Sequence, residues 1–134
     1  MTTRQAACSC GQLYLAIDGE PSRIWICHCL ECQRRTGAVA GNLARFQRGQ
    51  VAFNGAATAW RRNGESGNTL TCYFCPTCGS TVYFESDAFP GVVAIAIGNF
   101  ANPGFPAPII SVWEETRHPW VSLPAGTTRM AKQG

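Results

Sequence analysis

The sequence predicts a single all-β domain of antiparallel sheets joined by long loops. Apolar residues recur at every second position in most segments able to form strands. Fourteen glycines and eight prolines in 134 residues supply closely spaced turns. Charged residues make up only 14%, against an ordinary quarter, too few for long solvent-facing helices. A hydrophobic content of 46% over this length suits one core and excludes two independent catalytic domains.

Along the chain, Leu13, Leu15 and Ile17 share one face of a strand, and Asp18-Gly19-Glu20-Pro21 follows with the chemistry of a hairpin turn. Ile24 and Ile26 mark the next strand. Leu30 to Gly37 is the one segment that reads as a helical turn, with Gly37 placed as a C-cap. Leu70, Cys72 and Phe74 alternate, as do Val82 and Phe84, and then Val93, Ile95 and Ile97. The stretch Asn63-Gly64-Glu65-Ser66-Gly67-Asn68 predicts a second hairpin, and Asn99 to Pro108 a long proline-rich loop. The motif-bearing core of this one domain, 1–134, spans about residues 8–124, and Ala125 to Gly134 reads as a fraying tail.

Eleven Lys and Arg against eight Asp and Glu leave a net charge of +3, which is no electrostatic footprint for nucleic acid or an anionic membrane. Ten of the eleven cations are Arg, the better fork for a carboxylate or phosphate, so a small anionic ligand fits the composition. Residues Met1 to Ala7 reach a cysteine before any signal-like apolar region forms, and the longest apolar run, Val92 to Ile97, is too short to span a bilayer. The expected location is therefore the cytoplasm. Thiols stay reduced there, so eight cysteines read as metal ligands or reactive thiols before disulfides.

Seven of the eight fall into three clusters: Cys8-Ser9-Cys10-Gly11, Cys27-His28-Cys29-Leu30-Glu31-Cys32, and Cys75-Pro76-Thr77-Cys78-Gly79. The third is a C-x2-C knuckle whose Pro and Gly turn the backbone so that both sulfurs face one point. It supplies half a tetrahedron, and the C-x-C of the first cluster supplies the other half. Cys8, Cys10, Cys75 and Cys78 would thus hold a closed, structural zinc whose binding energy is folding energy. A redox C-x-x-C is the rival, but it belongs beside a βαβ pattern that is absent here.

Cys27, Cys29 and Cys32 can hold a second zinc within six residues and leave one tetrahedral position open, the mark of a catalytic rather than a structural site. Three thiolates make a weak Lewis acid, better suited to a soft ligand than to generating hydroxide, so a substrate thiol would lose its proton there and become the nucleophile. The competing reading closes this site with Cys72 or a histidine. Arg34 and Arg35 follow directly and can offset the charge or receive a substrate carboxylate. Cys72 alternates within an apolar strand and reads as a buried, inert thiol. His28 reads as a residue beside the metal or facing solvent rather than a ligand, and His118 as loop packing. The four tryptophans read as core or rim, with one able to wall the open site.

These motifs, with the middle one extended through Gln33-Arg34-Arg35-Thr36-Gly37-Ala38 and the third running from Phe74 to Ser80, resemble the glutathione-dependent formaldehyde-activating enzyme family, which includes centromere protein V. The resemblance implies a zinc-stapled β-tent with two zinc ions. The outer cysteine pairs would hold the structural one and the triad the one associated with activity. It also implies a carbon–sulfur lyase reaction, the reversible addition of glutathione's thiol to formaldehyde. Ser111-Val112-Trp113, Ala101-Asn102-Pro103 and Cys72 depart from the family's usual pattern. Two other classes of function fit the cysteines: a zinc-scaffolded binding module without turnover, and a thiol or metal redox sensor.

Overall fold

The computed structural model describes residues 2–133. Among the described residues are eleven strands and one α-helix: β1 (Thr3–Ala7), β2 (Tyr14–Asp18), β3 (Arg23–Cys27), α1 (Leu30–Thr36), β4 (Gly41–Gln47), β5 (Val51–Asn54), β6 (Thr58–Asn63), β7 (Thr69–Phe74), β8 (Thr81–Ser86), β9 (Val92–Ala96), β10 (Ile110–Val112) and β11 (Thr128–Arg129). They form a three-stranded sheet, β1-β2-β5, and an eight-stranded sheet, β11-β10-β3-β4-β9-β8-β7-β6. The predicted all-β class is correct. Pairing is antiparallel except for β10, which runs parallel to both β3 and β11.

The core lies between the sheets, and the alternation explains why. Leu15 and Ile17 of β2 turn inward with Leu13 just before them, and they meet Ala44 and Phe46 of β4 and Val93 and Ile95 of β9, all nearly or wholly excluded from solvent. Burying each Leu, Ile, Val or Phe side chain of this set contributes about 1.5–3 kcal/mol, far more than a surface ion pair such as Arg4–Glu20. Cys8 and Cys75 belong to the same buried cluster.

The first predicted hairpin does not form. Asp18 to Pro21 instead carries the chain from one sheet to the other, because both edges of β2 are already taken by β1 and β5. The second hairpin is present: β6 and β7 pair from Thr58–Phe74 to Asn63–Thr69, and Gly67 closes the turn at φ +88°. The loop after Phe100 is anchored, with Phe100 stacked on Phe105 at 4.6 Å and Asn99 Nδ2 donating to the Ala7 carbonyl at 2.8 Å.

The predicted fraying tail is another correction. Residues 128–129 form β11, and the Thr128 and Met130 amides donate to the Ile109 and Ser111 carbonyls at 3.0 and 2.9 Å. The open edge of β10 supplies those partners, and Arg129, paired with Glu114 at 3.2 Å, and Met130, packed beside Val112, add side-chain anchors to a segment with no apolar periodicity. Gly134, the last residue of that expected tail, lies outside the described residues.

Candidate metal centres

The outer cysteine pairs meet as the sequence predicts. Cys8 and Cys10 sit in the turn between β1 and β2, Cys75 and Cys78 in the turn between β7 and β8, and all four sulfurs lie within 4.8 Å of one another. Each turn is closed by its own backbone bond, from the Cys8 amide to the Leu13 carbonyl at 2.9 Å and from the Cys75 amide to the Ser80 carbonyl at 3.0 Å. Left-handed Gly11 and Gly79, at φ +85° and +81°, make both turns possible. Ser80 ties the turns together, its hydroxyl accepting from the Ser9 amide at 3.1 Å.

Several donors aim at these sulfurs. The Leu13 amide donates to Cys8 at 3.3 Å, and Gln12 Nε2 and the Thr77 amide donate to Cys75 at 3.0 and 3.4 Å. The Ser80 hydroxyl and amide hold the Cys78 thiol down to about 5. Burial opposes ionisation of Cys75, but backbone and Gln12 donors prevail and bring it to about 7. Cys10 has a backbone donor from Gln12, yet burial and the neighbouring sulfurs push it up to about 11. Four thiols so placed cannot all ionise without a cation between them. Sγ–Sγ distances of 3.6 Å (Cys8–Cys10) and 3.7 Å (Cys10–Cys75) match the roughly 3.8 Å edge of a tetrahedron with Zn–S bonds of about 2.3 Å. The donor set fits zinc.

Cys27 ends β3, Cys29 is the N-cap of α1 and Cys32 lies in its first turn, so the strand-to-helix junction gathers three sulfurs within 4.8 Å. Cys29 performs the capping usually left to Ser or Asp, its sulfur accepting the Cys32 amide at 3.3 Å. Gly37 closes the helix in the left-handed region at φ 70°, as predicted. Among the described residues no fourth Cys, His, Asp or Glu joins the three. The Cys27 and Cys32 thiols hold Cys29 down to about 2, and the same contact pushes Cys27 far above its ordinary range. One charge is accommodated easily and a second is refused, so three thiolates here also call for a cation.

Around the triad is a polar frame, buried at His28 and Ser111; the sequence placed His28 beside the metal but missed its partners. His28 is fully buried; its Nε2 lies 2.9 Å from Ser111 Oγ, and Ser111 bonds in turn to Glu114. Glu114 also accepts from Arg117 at 3.0 Å and Arg129 at 3.2 Å. The His28 carbonyl accepts from Gln33 Nε2 at 2.9 Å and Thr116 Oγ1 at 2.8 Å. His118 does more than pack: its Nε2 reaches Gln33 Oε1 at 2.9 Å. Gln33 therefore fastens the helix to the 116–118 segment, more than eighty residues away, a link no local spacing reveals. Trp25, Trp113 and Met130 pack against the triad as its apolar wall, and Trp113 does so in the left-handed conformation, φ 57°.

Arg34 and Arg35 line a cleft of about 410 Å³ with Glu31, Trp60, Cys72 and Phe74. Arg34 is exposed and paired with Glu31 at 3.0 Å. The Arg35 guanidinium lies 4.4 Å above the Phe84 ring. A Cβ at Gly41 would fall 3.0 Å from Arg35 Nη2 and 3.6 Å from the Cys32 sulfur, so this glycine lets the cation approach the triad. Cys72 faces the cleft but is almost wholly buried, and burial pushes its thiol up. The expected inert thiol is thus placed as predicted.

A family model described as glutathione-dependent formaldehyde-activating enzyme matches residues 3–116. The fold is similar to the crystal structure of a Rhodobacter sphaeroides protein, with a TM-score of 0.58 and 19% identity over 74% of this chain and 91% of that one. No curated protein matches the chain. Among the described residues no helix is long and apolar enough to cross a membrane.

Proposed function

The chain belongs to the glutathione-dependent formaldehyde-activating enzyme family, and from that premise we propose that it catalyses the reversible addition of a small peptide thiol, glutathione, to formaldehyde in the cytoplasm. In this reaction the thiol gives up its proton, a sulfur–carbon bond forms, and the carbonyl π pair takes a proton to become the hydroxyl of S-hydroxymethylglutathione. The reverse direction is a carbon–sulfur lyase. The observation that carries the proposal is the cluster of buried Cys27 and Cys32 with half-buried Cys29, which has three sulfurs, no fourth side-chain ligand among the described residues, and an arginine-lined cleft beside it.

Cys8, Cys10, Cys75 and Cys78 would hold a structural zinc, and Cys27, Cys29 and Cys32 a catalytic one. When bound at the triad, zinc supplies Lewis acidity that lowers the pKa of an incoming thiol. The chain's own residues do the rest. Trp25, Trp113 and Met130 keep water from the sulfurs, strengthening electrostatic contacts there. Arg34 and Arg35 meet a substrate carboxylate in the cleft that they line. The frame of His28, Ser111 and Glu114 fixes the segment between Cys27 and Cys29, so the site is set before substrate arrives.

Two-dimensional exchange NMR on glutathione and formaldehyde tests this. The wild type should accelerate exchange over the spontaneous background by about a hundredfold or more, and Cys29→Ser should return it to background. Equal rates for the two proteins would overturn the proposal.

A further inference from the structure

A second cleft, of about 110 Å³, opens on the same face of the eight-stranded sheet as the triad. Its floor is apolar, made by Trp25, Leu43, Phe84 and Phe89, and its rim carries two cations, Arg23 and Arg45, and one carboxylate, Glu85. These two arginines stand directly opposite each other on β3 and β4. Like charges in that cross-strand position destabilise a sheet, with Cβ atoms only about 5 Å apart. Neither arginine is in an ion pair among the described residues. Arg23 Nε is buried and has no hydrogen-bond partner, while Arg45 Nε donates only to Ser22 Oγ at 3.2 Å. The carboxylate on the rim, Glu85, is occupied by Arg48 and the Tyr73 hydroxyl. Within the fold only the Trp25 ring, 5.8 Å from Arg23, and the Phe89 ring, 6.0 Å from Arg45, offset part of this repulsion, whereas an incoming anion would offset the rest and satisfy the stranded donor.

The position relative to the triad is set by one strand. Arg23, Trp25 and Cys27 alternate along β3 and so share a face, and four residues of strand span about 13 Å. The Arg23 guanidinium lies 5.8 Å from the ring of Trp25, the residue between it and Cys27 on that face. Phe84, carrying Arg35 on its ring, stands between this cleft and the larger one. Resting on the reading that a peptide thiol is the substrate, we propose that the Arg23–Arg45 cleft is the subsite for its second carboxylate, the first lying with Arg34 and Arg35. A ligand gripped at both ends would hold its central thiol at the triad. The class selected is a dicarboxylic peptide thiol, and a small neutral thiol is bound poorly.

The probe is S-methylglutathione, which keeps both carboxylates and has no thiol to offer the triad, titrated calorimetrically into the zinc-loaded full chain. Arg23→Gln and Arg45→Gln should each raise its Kd about tenfold or more, and Arg45→Lys, which keeps the charge but loses the fork, by less. Arg61→Gln, on the opposite face of the same sheet, should leave it unchanged. Both Gln variants should melt close to the wild-type temperature, since relief of the like-charge pair offsets the lost contact with Trp25 or Phe89. Unchanged Kd values in Arg23→Gln and Arg45→Gln, or an equal loss in Arg61→Gln, would overturn the subsite. If Arg23→Gln does not fold, a wild-type Kd in Arg45→Lys and Arg45→Gln overturns it equally. Arginine-dependent binding of the probe by a chain with no glutathione turnover would sustain the subsite and sink the reaction. Turnover with arginine-independent binding would do the reverse.

Discussion

The four-cysteine cluster takes its ligands from turns more than sixty residues apart, while the three-cysteine cluster takes all of its own from one strand-to-helix junction. In the first, amide, Gln12 and Ser80 donors reach the sulfurs, and each turn is closed by its own backbone bond. In the second, a single amide reaches Cys29, the wall is aromatic, and an arginine-lined cleft lies alongside. Long-range ligands with satisfied sulfurs would make a staple, whose loss the whole fold should feel. Local ligands with few donors would make a site able to change its contents while the fold stands.

That contrast is broken most directly by removing one ligand from each cluster. Zinc content should fall from about two per chain to about one in both Cys8→Ser and Cys32→Ser. The melting temperature should drop by about 15 °C or more in Cys8→Ser and by only a few degrees in Cys32→Ser. Elemental analysis and calorimetry read both quantities. Equal losses of stability would erase the distinction between staple and site.

A smaller effect is expected at the support of the staple. Gly55 is left-handed at φ +92°, and a Cβ there would come within 1.9 Å of the Gln12 carbonyl oxygen. Gln12 bonds to both Ala56 and Cys75, so Gly55→Ala should cost about 2–3 kcal/mol in urea unfolding and weaken metal retention at the four-cysteine cluster alone.

Both cysteine clusters and the short helix are legible in the sequence because their determinants are local: C-x-C and C-x2-C spacings, an N-cap and a C-cap glycine. Elements decided by distant partners are not. β6 is largely exposed and shows no inward alternation, so only its pairing with β7 makes it a strand. β11 exists because β10 has a free edge. The chemistry of the turn after Asp18 is right, but nothing local says that β1 and β5 already flank β2. The same limit hides the frame of the triad, since Ser111 and Glu114 meet His28 across more than eighty residues and carry no motif.

The frame sharpens the comparison from the triad's side. Removing the Ser111 hydroxyl leaves the buried His28 ring without its partner, so Ser111→Ala should cost about 1–3 kcal/mol at neutral pH. Burial alone would raise the Glu114 carboxyl, but the Ser111 hydroxyl and the Arg117 and Arg129 guanidinium groups outweigh it and hold the pKa below its ordinary value. A depressed carboxylate contributes stability that is complete above the ordinary carboxylate range and is lost as pH falls through its folded pKa. Glu114→Gln should therefore flatten the acid limb of the stability profile. An acid limb identical to that of the wild type would remove Glu114 from the frame.

The weakest expected effect lies where the last strand covers the triad. Met130 is held over the cysteines by its own amide bond to Ser111 and by the Glu114 amide, which donates to its carbonyl at 3.0 Å. The same segment steadies Trp113, whose amide reaches the Lys132 carbonyl at 3.3 Å. Truncating the half-buried Met130 to Ala removes part of the wall but none of these backbone bonds, so stability should fall by only about 1 kcal/mol. Access should change more than stability does. In the metal-free reduced chain, alkylation of Cys27, Cys29 and Cys32 should quicken about threefold while that of Cys10 and Cys78, already exposed, stays constant. Mass spectrometry of quenched samples resolves the two sets. A rate that rises equally at both clusters would mean general loosening. A rise confined to the triad would make the segment beyond the family match, residues 117–133, a part of this chain's own site.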